Sequence, residues 1–244
     1  MTTAAIELRE AAVRVRTAGP GPDLLTILEP TTLRLTERRV GVIGANGSGK
    51  STFARLLNGL VTPSEGRVLV DGLDTVADGA AVRARVGFAF TDPDAQLVMP
   101  TVAEDVALSL RRLGLGRADR ARRVHEVLAR FGLDHLAERS VHALSGGQKQ
   151  LLALAGVLAT EPAVLVCDEP TTLLDLRNTR AVAEVLAGLA QRVVLVTHDL
   201  DLAERTDRVL VVDRARVVFD GDPAAAVAYY RALMAEEPAS GPRA

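Results

Sequence analysis

The run Gly44-Ala45-Asn46-Gly47-Ser48-Gly49-Lys50-Ser51-Thr52 constrains the fold more than any other stretch of this chain. It fits the pattern G-x-x-x-x-G-K-S/T, with Gly44, Gly49, Lys50 and Ser51 in the fixed places. Glycines allow positive φ and let backbone approach a phosphate closely. Successive N–H groups can then turn inward and form an anion-binding concavity. Val40-Gly41-Val42-Ile43 before it reads as a buried strand, and Ser51 to Leu60 after it reads as a helix. Strand, loop and helix in that order place the positive helix end at the same anion. Lys50 would reach the outer phosphates, and the Ser51 hydroxyl would ligate Mg²⁺.

The 244 residues suffice for one large domain or two small ones. At 48% hydrophobic but 3% aromatic, the chain must build its core from Leu, Val and Ala. A net charge of −2 gives no general attraction to nucleic acid or to an anionic membrane. The single cysteine, Cys167, excludes an internal disulfide, and its apolar strand position makes it a core residue. Met1 to Ile6 lacks the basic start and apolar stretch of a signal peptide. No run approaches the ~18 apolar residues needed to cross a bilayer. The expectation is a chain soluble by itself, with any membrane role exercised through a partner.

Loose alternation over residues 1–35 predicts strands, interrupted by a turn at Gly19-Pro20-Gly21-Pro22. Further strands are predicted at 67–72, 86–90, 163–167, 193–197, 209–213 and 216–219. Residues 101–159 turn helical, with apolar positions spaced by three and four, and a helix is predicted over 177–189. Continuous apolar strands separated by a helix suit a parallel α/β sheet buried on both faces. Residues 236–244 read as a disordered polar tail. His125, His135 and His142 form no metal-ligand spacing.

Two further motifs carry chemistry. Val164-Leu165-Val166-Cys167 ends in Asp168-Glu169. In open α/β sheets ligands bind at carboxyl ends of strands, so Asp168 is placed to hold Mg²⁺ and Glu169 to act as base for a water. Leu144-Ser145-Gly146-Gly147-Gln148 precedes an apolar helix that Ser145 can cap, and Gly146 and Gly147 leave its first N–H groups uncovered. A chain with two anion sites binds either two phosphates or one ligand clamped between two copies.

The phosphate loop, Leu144 to Gln148, Asp168-Glu169, Asp175 and Thr197-His198-Asp199 follow the order and approximate spacing of an ABC transporter ATPase. Residues 4–225 or so resemble that family. The resemblance implies an α/β fold: a RecA-like phosphate-loop core with a mixed, largely parallel sheet, an antiparallel β subdomain, and a helical subdomain over about 92–160 bearing the signature. It implies one domain over 1–235. It implies ATP and Mg²⁺ as ligands and a head-to-tail dimer. There Ser145, Gly146, Gly147 and Gln148 of one copy face the γ-phosphate held by Gly44–Thr52 of the other. By the same likeness Asp175 crosses the interface and His198 bonds the γ-phosphate. All motifs lie in one chain, so a homodimer with two competent sites is expected and no nucleic-acid partner.

Two positions depart from the family. The glutamine that usually senses metal and membrane partner corresponds to Thr91, with Gln96 the second candidate. The aromatic that usually stacks on adenine is absent, leaving Val15 as an apolar contact or Arg16 as a stacking plane. Asp92 to Val106 and Thr197 to Leu202 resemble the ATPases of energy-coupling factor (ECF) importers. These imply a transmembrane coupling subunit, a substrate-binding membrane subunit, and a peripheral place on the cytoplasmic face of the membrane. Biotin is the first expected cargo and cobalt or nickel the second. A conventional ABC importer or exporter is the nearest alternative, and a soluble non-transport ATPase the next.

Overall fold

The computed structural model describes residues 5–16 and 24–236. The expected turn at Gly19–Pro22 and the tail beyond Glu236 lie outside them. Along the chain run β1 (Ile6–Arg16), β2 (Leu24–Leu35), β3 (Arg39–Ile43), α1 (Lys50–Leu56), β4 (Glu65–Val70), β5 (Leu73–Asp74) and α2 (Gly79–Arg85). Then come β6 (Val86–Ala89), α3 (Val102–Ser109), α4 (Arg117–Arg130), α5 (Gly146–Leu158), β7 (Val164–Asp168) and α6 (Leu176–Gly188). The chain closes with β8 (Arg192–Val196), α7 (Leu200–Ala203), β9 (Arg208–Asp213), β10 (Arg216–Gly221) and α8 (Pro223–Glu236). It divides into two compact units, residues 1–82 with 194–244, and residues 83–193.

In the first unit β2, β1, β4 and β5 form an antiparallel sheet in that order, with Val15 of β1 opposite Leu25 of β2. A second set of strands runs in the order β10, β9, β3, β8. There β3 and β9 are parallel, and β9 and β10 pair antiparallel. Ile43, Val209 and Val211 meet Ala203 of α7 and Ala226 and Val227 of α8 in a fully buried cluster. Aliphatic side chains build this core, as the scarcity of aromatics requires.

In the second unit β6 and β7 are neighbouring parallel strands. Every residue of β7 is buried, which is why that stretch reads as an unbroken apolar run. Helices α3, α4 and α5 fall within the expected helical region. Thr101 starts α3 through a capping box with Glu104: each side chain satisfies the other residue's backbone N–H.

Several elements differ from the sequence expectation, short β5 and α7 among them. Helix α1 ends at Leu56 rather than Leu60, because the N–H groups of Leu60 and Val61 both turn back onto the Arg55 carbonyl. Helix α8 was not anticipated. Its Pro223-Ala224-Ala225-Ala226-Val227-Ala228 start has little contrast between faces, and only Ala226 and Val227 are buried. Short α2, with Val82 its one buried residue, also escaped the apolar pattern.

Candidate functional site

In the first unit the phosphate loop is shaped by backbone that leaves no room for a side chain. Gly44 has φ 152°, and a Cβ there would lie 2.0 Å from the Val212 carbonyl oxygen of β9. Gly49 has φ 108°, and its Cβ would come within 2.5 Å of the Ile27 carbonyl oxygen of β2. Lys50 is buried and its Nζ donates to the Gly44 and Ala45 carbonyls, both at 2.8 Å. The ammonium thus folds over the loop. Asn46 and Gly47 are exposed at its tip, while Ser51 and Thr52 are partly buried in the first turn of α1. The Ser48 hydroxyl is buried without a hydrogen-bond partner inside the loop, so the cradle keeps an unmet polar group that a ligand oxygen suits.

The end of β8 lies beside the same loop-bearing strand: the Thr197 N–H donates to the Val42 carbonyl at 3.0 Å. His198 follows, exposed, and Asp199 then caps α7 through the Leu202 N–H at 3.0 Å. The first unit therefore gathers Gly44 to Thr52 and His198 at the ends of neighbouring strands. Val15 is exposed on β1, and its cross-strand neighbour Leu25 is exposed too. Together they offer an aliphatic platform where an aromatic was lacking. Leu25 was not foreseen, although its place on an alternating strand opposite Val15 was the available signal. Arg16, next along β1, is exposed as well.

The second unit holds the remaining residues. Asp168 ends β7 almost fully buried. Glu169 follows with φ 57°, a left-handed backbone that a non-glycine residue adopts at a cost. Its carboxylate accepts a hydrogen bond from the Thr172 hydroxyl at 2.9 Å. Thr172 also escaped the sequence reading, because that bond depends on the left-handed turn. Thr91 donates its hydroxyl to the Asp168 carbonyl at 2.8 Å, so it stands at the strand end where the sensor glutamine was expected. Gln96 is committed elsewhere. Its Oε1 accepts from the Phe90 N–H at 3.4 Å and its Nε2 donates to the Ala153 carbonyl of α5 at 3.0 Å. Burial, with the neighbouring Asp168 charge, pushes the Cys167 thiol well above its ordinary range, as befits a core position.

Ser145 starts α5 in a second capping box. Its Oγ accepts from the Gln148 N–H at 3.3 Å, while the Gln148 Oε1 accepts from the Ser145 N–H at 3.0 Å. The Ser145 oxygen is used as acceptor there, and its proton can be donated to an anion. Gly147 packs on α6 so tightly that a Cβ would meet the Asn178 side-chain carbon at 2.2 Å. Asn178 is fixed in turn, since its N–H donates to the Asp175 carboxylate at 2.8 Å and makes Asp175 the cap of α6. The signature and the Asp175 loop are one packed block.

A glycine-shaped phosphate cradle, a strand-end acid pair and a capped glycine signature define a nucleotide-binding ATPase cassette. Residues 31–172 match the ABC transporter family, and the chain belongs to that family. The biotin transport ATP-binding protein BioM of Rhizobium etli is 48% identical over 223 residues, covering 91% of this chain and 99% of that protein. The energy-coupling factor transporter ATP-binding protein EcfA1 of Halalkalibacterium halodurans is 43% identical over 190 residues, 76% of this chain and 68% of that one. The structure of cbiO1 from Clostridium perfringens, described as part of the ABC transporter complex cbiONQ, has a TM-score of 0.79 at 30% identity. It covers 94% of this chain and 93% of its own. The chain is an ATP-binding, ATP-hydrolysing subunit of a transporter. Among the described residues no helix is long and apolar enough to cross a membrane.

Proposed function

We propose that this chain energises an ECF-type importer, with biotin as the first candidate cargo and cobalt or nickel as the second. The end-to-end likeness to a biotin transport ATP-binding protein carries the reading. Residues 1–235 act as one cassette, peripheral on the cytoplasmic face of the membrane, docked through the segment near Thr91–Thr101 onto a transmembrane coupling subunit that also holds a substrate-binding membrane subunit. Two copies form a homodimer.

In each site ATP phosphates lie in the Gly44–Thr52 loop, and the Lys50 ammonium exchanges its loop carbonyls for outer phosphate oxygens. The donor set Ser51, Asp168 and, through a water, Thr91 is all oxygen, which suits Mg²⁺; when bound it would neutralise phosphate charge. Glu169 accepts the proton of the water that attacks the γ-phosphorus in line, and His198 bonds the γ-phosphate and orients that water. Ser145, Gly146, Gly147 and Gln148 of the partner subunit close over the same phosphate, with Asp175 crossing between copies. Val15 and Leu25, with Arg16, receive the base.

Affinity purification of the tagged chain from detergent-solubilised host membranes, followed by mass spectrometry, tests the transport assignment. A polytopic coupling subunit and a small membrane protein retaining biotin are the expected companions. Recovery of ribosomal or DNA-repair proteins without any membrane protein would leave the ATPase and overturn the importer.

A further inference from the structure

Of the 29 basic residues, 27 are arginine; the two lysines are Lys50, in the phosphate loop, and Lys149, directly after the signature. Lys149 lies in the first turn of α5, and its own N–H makes a helical bond back to the Ser145 carbonyl at 2.9 Å. A cation there opposes the positive end of the helix dipole, so its presence needs a reason. The structure supplies one. Lys149 Nζ sits between both carboxylate oxygens of Asp94, at 2.7 and 2.9 Å, with its side chain only 16% exposed.

Asp94 belongs to a tight 3₁₀ turn, Pro93–Ala95, itself capped by the Asp92 carboxylate on the Asp94 N–H at 2.9 Å. One residue on from that turn, Gln96 grips the Ala153 carbonyl, one helical turn beyond Lys149. Just before it, Thr91 grips the Asp168 carbonyl. The short segment 91–96 is therefore fastened at three points to the two elements that carry the chemistry, and the ion pair is the fastening nearest Ser145.

We propose that Asp94 and Lys149 form a latch, with Lys149 as a positioning residue, that sets the first turn of the signature helix for capture of ATP held by a second copy. The inference rests on the ATPase-dimer reading above. The latch acts on closure of two copies, not on nucleotide entry into the Gly44–Thr52 loop. An exposed or partly exposed ion pair is worth up to ~1 kcal/mol, so breaking it weakens closure by about three- to fivefold.

The test uses the full chain as wild type, Asp94→Asn, Lys149→Gln and the exchange Asp94→Lys with Lys149→Asp. Fluorescent ATP-analogue binding, steady-state ATP hydrolysis and thermal unfolding are measured on each. The two single variants should keep the analogue dissociation constant within about twofold and raise the KM for hydrolysis about three- to fivefold. Their kcat should change less, and the exchange should recover most of the loss. An unchanged KM in either single variant, or a raised KM that the exchange leaves uncorrected, would overturn the latch while leaving the ATPase intact. A purely structural pair would lower the melting temperature without splitting KM from analogue binding. A wild-type chain that turns over no ATP would instead overturn the functional reading, and the latch with it.

Discussion

Glu169 combines a carboxylate held by the Thr172 hydroxyl with a left-handed backbone at the end of a buried strand. The general base proposed at Glu169 should be replaceable for binding and irreplaceable for chemistry. Glu169→Gln should therefore retain ATP and lose about 10²- to 10⁴-fold in turnover; undiminished hydrolysis would remove Glu169 from the base role. The nucleobase contact proposed at Val15 makes a different prediction. Val15 and Leu25 give an aliphatic surface without hydrogen bonds that distinguish one purine from another. ATP and GTP should bind within a few-fold of each other, and a strong preference for ATP in equilibrium titration would show that another group reads the base. The buried Cys167, its thiol pushed up by burial and by Asp168, should resist iodoacetamide in the folded chain and react once denaturant exposes it.

At the scale of elements, α5 and α6 are locked by a missing side chain. A methyl at Gly147 would strike the Asn178 amide, and Asn178 is held by the Asp175 cap. Gly147→Ala should cost ~1–3 kcal/mol of stability and move the signature relative to the Asp175 loop. Calorimetry of the variant alone and combined with Asn178→Gly should show the second change recovering part of the loss. An unaffected melting temperature would mean that Asn178 swings aside freely. Much of this was legible beforehand. The apolar runs at 164–167 and 193–196 announced fully buried strands, and Ser145 before an apolar helix announced its cap. What stayed hidden depended on long-range packing. The Gly147–Asn178 contact joins two helices that sequence spacing cannot register, Thr172 meets Glu169 only through a left-handed turn, and α8 is so rich in alanine that no face stands out. Thr91 and Gln96 read alike in sequence because both can bond; their partners, the Asp168 carbonyl for one and Phe90 and Ala153 for the other, come from the fold.

At the scale of the molecule, Arg208 ties several stretches of the first unit together. Arg208 of β9 makes a two-pronged contact with Asp220 of β10, at 2.5 and 2.6 Å, and reaches Glu37 at 3.1 Å and the Arg34 carbonyl at 3.0 Å. Burial alone would raise the Glu37 carboxyl; N–H bonds from its own backbone and Thr36, together with Arg208, hold it below its ordinary 4.5. A carboxyl lowered in the folded state stabilises fully above the unfolded value and loses that contribution as pH falls through the folded one. Unfolding midpoints should thus fall below about pH 4.5, and Glu37→Gln should flatten part of that slope while leaving the pH 7–8 region level. A Glu37→Gln chain with the wild-type acid slope would place the pH sensitivity elsewhere.

The pairing of Lys149 with Asp94 has a practical corollary. Side-chain amines are confined to two places, the nucleotide loop and the signature turn, so reductive ¹³C-methylation, which preserves charge, would give a magnetic resonance spectrum with two side-chain signals. One signal would follow ligand entry at Lys50 and the other the opening of the ion pair at Lys149. The protein thus carries its own pair of spectroscopic reporters, one at each end of the closure proposed above, without a single engineered residue.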